Sequence, residues 1–264
     1  MKILNFLFSR SKQEQDKPIR DKLKTRKDFE RVLAEDLDIM ETTKARMDTA
    51  KNINLYMYRS LSYSYILILQ SKYSVDAKID ELRDIYIKSM YYFLQAFNKR
   101  NPIYADILNY VSLGVLLNIP DNNFRQLIDY VKQMDKQAKP SGWTPDLLLW
   151  FMLNSRMKEQ EKQKYAETLA YPRLYSGLYK VIQAPNAAAA KDTLNKYLDR
   201  WYNLNSNAPW YNSHLKNNSY RGYWAWEVAA VAKIMHIDDS DLKNNQYYPY
   251  DMVHWADNET TAKE

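Results

Sequence analysis

The sequence predicts an all-α protein, a multi-helix bundle of two closely packed helical parts, and three observations carry that reading. Only 4 glycines and 9 prolines interrupt 264 residues, so long stretches run without a breaker. Charged residues make up 27% of the chain and are interleaved with apolar ones at the period of an amphipathic helix. A chain of this length also buries roughly three quarters of its unfolded surface, enough for a self-supporting core.

The elements follow in order. Over residues 28–51, Phe29, Val32, Leu33, Leu37, Met40 and Met47 recur at helical spacing. The next segment, 53–73, is more apolar, and Leu55, Tyr58, Leu61, Tyr65, Leu69 and Tyr73 give it a wide face for central packing. Ser74 reads as the N-cap of a third helix over 75–97, in which Ile79, Leu82, Tyr86, Met90 and Phe93 continue the period. Pro102 opens a helix through Leu117, and Pro120 with Asp121 opens another through about Ala138. Two prolines and Gly142 within 139–145 mark the boundary between the parts. Beyond it come a buried helix over 147–153, a solvated one in RMKEQEKQK, an aromatic segment over 165–182, and a helix over 187–201 started by Pro185 and Asn186. The expected organisation is a basic segment 1–27, helical domains 28–139 and 140–258, and a tail 259–264.

Composition excludes several function classes. The absence of cysteine removes disulfides, thiolate nucleophiles and zinc-thiolate sites, and fits a reducing compartment. The opening MKILNFLFSR is ended too early by Ser9, Arg10, Ser11 and Lys12 to be a secretory leader, so a cytoplasmic address is expected. The uncharged run between Arg59 and Lys72 is shorter than the ~20 apolar residues of a spanning helix. The net charge of +6 is all N-terminal: residues 1–140 carry 24 Lys and Arg against 18 Asp and Glu, and residues 141–264 carry 14 against 14. The first 31 residues alone hold 10 basic against 5 acidic side chains, read as a basic tail; direct nucleic-acid binding through this region is the alternative function.

The most informative stretch is residues 220–256, YRGYWAWEVAAVAKIMHIDDSDLKNNQYYPYDMVHWA. Trp224, Val228, Val231 and Met235 sit at helical spacing, while Ala225, Ala229, Ala230 and Ala232 allow close approach of neighbours, which reads as a core helix over 220–235. Glu227 within it is costly to bury unless paired, and Arg221 or a Tyr hydroxyl is the expected partner. In IDDSDL, Asp238, Asp239 and Asp241 suit helix capping, and together make a negative spot for a basic partner. Tyr171, Tyr175, Tyr179, Trp210, Tyr211, Tyr247 and Tyr248 form a Tyr-rich set from which interface anchors are drawn, most of it core. His236, Asp238, Asp239, Asp251 and His254 lie close in sequence, but no HExxH or paired-histidine pattern supports a metal, so metal-dependent hydrolysis is the weaker alternative. His214 is isolated, a loop or core histidine. No nucleophile elbow, P-loop or dinucleotide fingerprint is present, hence no catalytic residue, no metal and no cofactor is assigned.

This closing stretch, and LSYSYILILQSKYSVDAKIDELRDIYIKSMYYFL over residues 61–94, resemble the PoNi family of bacterial immunity proteins, and the resemblance runs from about Arg20 to Ala256. It implies an α-helical, non-enzymatic protein of two associated parts, encoded beside a toxin of a polymorphic (type VI) secretion system. Such a protein binds the cognate PoNe-type DNase in the cytoplasm and protects the producer and its kin. Glu227, Asp238, Asp239, Asp241, Tyr247, Tyr248 and Asp251 are the toxin-binding candidates. The +6 charge departs from that of a simple DNA mimic.

Overall fold

The computed structural model describes residues 18–96, 103–136, 143–216 and 219–255. Most of the basic segment (1–17), most of the breaker-rich boundary (139–142) and the tail 259–264 lie outside the described residues. Regular structure among the described residues is helical, apart from an isolated bridge between Asp146 and Thr168. The chain divides into two compact units, one of Met1–Phe97 with Asn212–Tyr223, the other of Asn98–Tyr211 with Trp224–Glu264.

The first unit contains α1 (Arg26–Thr49), α2 (Leu55–Ser74) and α3 (Ile79–Ala96). A capping box starts α1: the Thr25 hydroxyl accepts from the Asp28 amide, and the Asp28 carboxylate accepts from the Thr25 amide at 3.0 Å. The Thr25 hydroxyl, which also donates to Asp28, holds that carboxyl below its usual range. Leu33 and Met40 of α1 pack with Leu61, Tyr65 and Ile68 of α2, and Leu69 and Tyr73 are buried as expected, whereas Leu55, expected on the same packing face, is exposed in the first turn of α2. α2 packs against both α1 and α3, and its small buried residues Ser62, Ser64 and Ser71 permit close approach; the Ser89 hydroxyl on α3 donates to the Ser62 carbonyl at 2.8 Å.

Ser74 corrects the sequence reading. It ends α2 rather than capping α3, because its hydroxyl is drawn into the interior and donates to the Arg221 carbonyl at 2.9 Å. The segment 212–223 is what draws it. Arg221 is 8% exposed and Asp36 of α1 3% exposed, and the guanidinium grips the carboxylate in a two-pronged bond of 2.7 and 2.8 Å. Beside it, the Tyr220 hydroxyl donates to Asp21, whose other oxygen accepts from the amides of Leu23 and Lys24 at 2.8 and 2.9 Å. Burial pushes both carboxyls above their usual range, against the opposing pull of Arg221 on Asp36 and of Tyr220 on Asp21.

The second unit contains α4 (Tyr104–Leu116), α5 (Asp121–Lys136), α6 (Leu147–Asn154), α7 (Pro172–Ile182), α8 (Ala187–Leu204), α9 (Trp226–Met235) and α10 (Tyr250–His254). α4 buries Ile107, Leu108, Val111 and Leu113 and packs on α9 and α6, with Ala229, Ala230 and Ala232 buried on the α9 side. Two carboxylates, the buried Asp146 and the half-buried Asp135, tie irregular chain to helices. Asp146 caps α6 through the Leu149 amide at 2.7 Å and also accepts from the Tyr104 hydroxyl at 2.9 Å and the Ala170 amide at 2.7 Å. Asp135 accepts from the indoles of Trp143 and Trp150 and the hydroxyl of Tyr165, each at 2.8 Å.

Three further expectations change. RMKEQEKQK yields only the short 3-10 turn Glu159–Glu161, since Met157 is its single apolar residue and buries alone, and the rest is pinned by Arg125–Glu161 and Lys162–Glu159 ion pairs. The aromatic segment over 165–182 is helical only from Pro172, because residues 168 and 170 give backbone groups to Leu147 and Asp146 instead. The helix expected over 220–235 begins at Trp226: Gly222 takes φ 106° and the Ala225 amide donates to the Tyr247 carbonyl at 2.9 Å.

Breaking the buried ion pair leaves an uncompensated interior charge. Arg221→Met is expected to lower unfolding free energy by about 3–5 kcal/mol. Pairing it with Asp36→Leu should recover most of that loss in urea denaturation, and equal loss in the single and double variants would contradict a specific pair.

Candidate functional site

The chain after α9 holds most of the sequence-predicted contact residues. His236 ends α9 in a left-handed conformation, φ 52°, and directs the chain into the acidic turn and the 3-10 turn Ser240–Leu242. The four acids there do not act as one. Asp238 and Asp241 are exposed and share Lys191 of α8, at 2.8 and 3.2 Å; Asn195, one helical turn on, donates to Asp241 at 2.9 Å. The hydrogen bonds from Lys191 and Ser240 hold the Asp238 carboxyl below its usual range. Asp251 is exposed on α10.

Asp239 points inward and is 3% exposed. One of its oxygens accepts from the Tyr248 hydroxyl at 2.6 Å, and the other lies 2.8 Å from His254 Nε2. Tyr248 is 2% exposed. The triad of Asp239, Tyr248 and His254 therefore ties the acidic turn to the Tyr-Tyr-Pro corner and α10 from inside, and neither Asp239 nor Tyr248 offers surface to a partner. Lys233 completes the tie by donating to the Leu116 and Val253 carbonyls at 3.2 and 2.9 Å, and the Trp255 indole donates to Leu116 at 2.8 Å. Among the described residues no three His, Cys, Asp or Glu side chains come together as a metal site.

Glu227 is not paired with Arg221, which belongs to Asp36; its partner is the Trp201 indole, donating at 2.6 Å. Burial pushes the Glu227 carboxyl up, against that hydrogen bond. Trp201 in turn belongs to an aromatic stack. It lies 5.4 Å from Trp210 at 19°, and Tyr202 stacks on Tyr211 at 4.5 Å and on Tyr247 at 5.3 Å. Trp210, Tyr211 and Tyr247 are half-buried, so the stack reaches the surface as a rigid aromatic edge. Tyr175 is core, whereas Tyr171 is exposed against Tyr104. His214 receives support from Tyr223, whose hydroxyl lies 3.0 Å from both its amide and Nδ1.

Sequence reasoning missed Lys191, Asn195 and Trp201 as partners of the acids, although Lys191 and Asn195 stand at i,i+4 on α8. It also missed the exposed aromatics of the first unit. Tyr56 and Tyr63, at i,i+7 on α2, are 77% and 60% exposed, and Tyr91 of α3 is 55% exposed. Their seven-residue spacing was the available signal.

The Glu227 shift fixes a sign. A carboxyl raised on folding binds its proton more tightly in the native state, so its contribution to stability is greatest below the ordinary glutamate value of 4.5 and declines as pH rises through the raised value. Glu227→Gln keeps an acceptor for Trp201 and is expected to raise Tm at pH 8, by about 2–4 °C per kcal/mol relieved, with no gain at pH 4. A gain equal at both pH values, or a loss at pH 8, would contradict a strained carboxylate.

The comparisons with known proteins agree with this architecture. Two family models match: PoNe immunity protein (PoNi), N-terminal, over residues 11–129, and PoNe immunity proteins (PoNi), C-terminal, over residues 144–252. Among solved structures, protein PA2201 from Pseudomonas aeruginosa shares the fold, with a TM-score of 0.70 and 18% identity over 93% of each chain. No curated protein matches.

Proposed function

This chain belongs to the PoNi family of PoNe immunity proteins, and we propose that it neutralises a cognate PoNe-type DNase toxin by binding it stoichiometrically, without turnover. The observation that carries the reading is that the two family models, N- and C-terminal, together span most of the chain. The chemistry is that of a binder. Interior carboxylates in both units are engaged by buried donors, which fixes helices and leaves exposed aromatics on rigid supports. Tyr and Trp presented in this way cost little conformational entropy on association.

The inhibitor acts in the cytoplasm of the producing cell and its kin, where a toxin of a polymorphic secretion system meets the chromosome. No helix of the described residues is long and apolar enough to cross a membrane. Occlusion suffices as a mechanism: a DNase must leave its phosphate-binding cleft open, and a protein seated across it excludes the substrate. On the proposed contact surface Asp238, Asp241, Asp251 and Tyr247 are the accessible members of the closing segment. Glu227, Asp239 and Tyr248 serve by positioning them.

Co-expression with the PoNe-type toxin encoded in the same locus tests the reading. Cells are expected to survive toxin induction, with toxin co-purifying in constant ratio. Survival and co-purification both absent would contradict it. Duplex DNA titrated at rising salt separates the nucleic-acid alternative, which requires affinity that falls steeply with salt.

A further inference from the structure

Electrostatics in the second unit are asymmetric. Its exposed acids Asp238 and Asp241 share the single cation Lys191, while a set of basic side chains gathers elsewhere on the same unit. Those cations line a groove of about 240 Å³ between α7 and α8. Arg173 and Lys180 stand seven residues apart on one face of α7, and Lys196 and Arg200 four apart on the facing side of α8, so two helical periods converge on one cleft. No carboxylate lines it.

The floor is rigid. A Cβ added at Gly177 would fall 2.7 Å from the Tyr197 ring, so glycine is what lets α7 approach α8 here. The Tyr197 hydroxyl donates to the Leu174 carbonyl at 2.9 Å and locks the two helices together. Lys196 has a partner in Asp192 at 2.6 Å. The side chains of Arg173, Lys180 and Arg200 have no hydrogen-bond or ion-pair partner among the described residues. Four like charges around one cleft repel one another and raise the local potential for an anion.

We propose that this groove is a recognition site for carboxylate side chains of the toxin, with Arg173, Lys180 and Arg200 as its binding residues. The assignment rests on the toxin-binding reading above. Carboxylates are favoured over nucleic-acid phosphates because an inhibitor that gathered DNA beside a nuclease would raise its substrate concentration. Nucleases that work through metal ions also cluster carboxylates at their centres, and a planar guanidinium grips a carboxylate with two parallel bonds. Recognition at this groove thus has the polarity opposite to DNA mimicry, and it arises from the local clustering of Arg173, Lys180, Lys196 and Arg200 in a half of the chain whose overall charge is balanced.

The test is calorimetric titration of the full chain against a catalytically inactivated PoNe-type toxin domain, and separately against a DNA duplex. The triple change Arg173→Glu, Lys180→Glu, Arg200→Glu is expected to weaken toxin binding about 100-fold or more, and the three changes to Gln about 10-fold, with weaker salt dependence. All three side chains are exposed, so Tm should hold; the Gln form carries the test if the Glu form does not fold. Wild-type binding that persists unchanged in the Gln and Glu forms overturns the groove while leaving the immunity reading intact. Wild-type failure to bind the toxin overturns both. DNA binding by the wild type that the triple variant loses makes the groove a phosphate site and overturns this proposal.

Discussion

A guanidinium with almost no access to water must be matched by a carboxylate, and the Arg221–Asp36 pair is the constraint on which the first unit depends. The partners are 185 residues apart in sequence. Their bond fixes where the segment 212–223 lies against α1, and the same segment supplies Tyr220 for Asp21 and the Arg221 carbonyl for Ser74. An interior charge pair adds little net stability over a packed apolar pair, but leaving one member alone costs several kcal/mol. That asymmetry makes the pair a specifier of register: an alternative docking of the segment would strand both charges.

How much of this was legible in the sequence divides along local and non-local lines. Helical periodicity located α1, α2 and α3 and their buried faces, because each packs a continuous apolar stripe against its sequence neighbour. Helix ends were less visible where a distant partner decides them. Ser74 looked like an N-cap because serine usually is one, and only the Arg221 carbonyl explains its inward turn. Trp224 looked helical by spacing, yet the Ala225 amide is taken by Tyr247. The acidic turn was seen as a unit, but composition cannot say that Asp239 turns in toward Tyr248 and His254 while Asp238 and Asp241 turn out toward Lys191. Glu227 was flagged as costly, correctly in kind, and its indole partner lay 26 positions away.

The second unit is organised around carboxylates engaged by neutral donors. Asp135, Asp146, Glu227 and Asp239 each receive at least one indole, hydroxyl or backbone N–H. Such networks rigidify a fold when every member is satisfied. They also consume negative charge that a count over the sequence would place at the surface. The surface of this unit also carries the aromatic edge of the Trp201 stack and the basic α7–α8 groove, features of the kind found at binding surfaces.

The central claim is stoichiometric neutralisation, and the direct measurement is DNA cleavage by a fixed amount of purified PoNe-type toxin as this protein is added. The account predicts activity that falls linearly with added protein and ends at a fixed molar equivalence, independent of incubation time. Full activity at excess protein, or loss of activity at a small fraction of an equivalent that deepens with time, would contradict it.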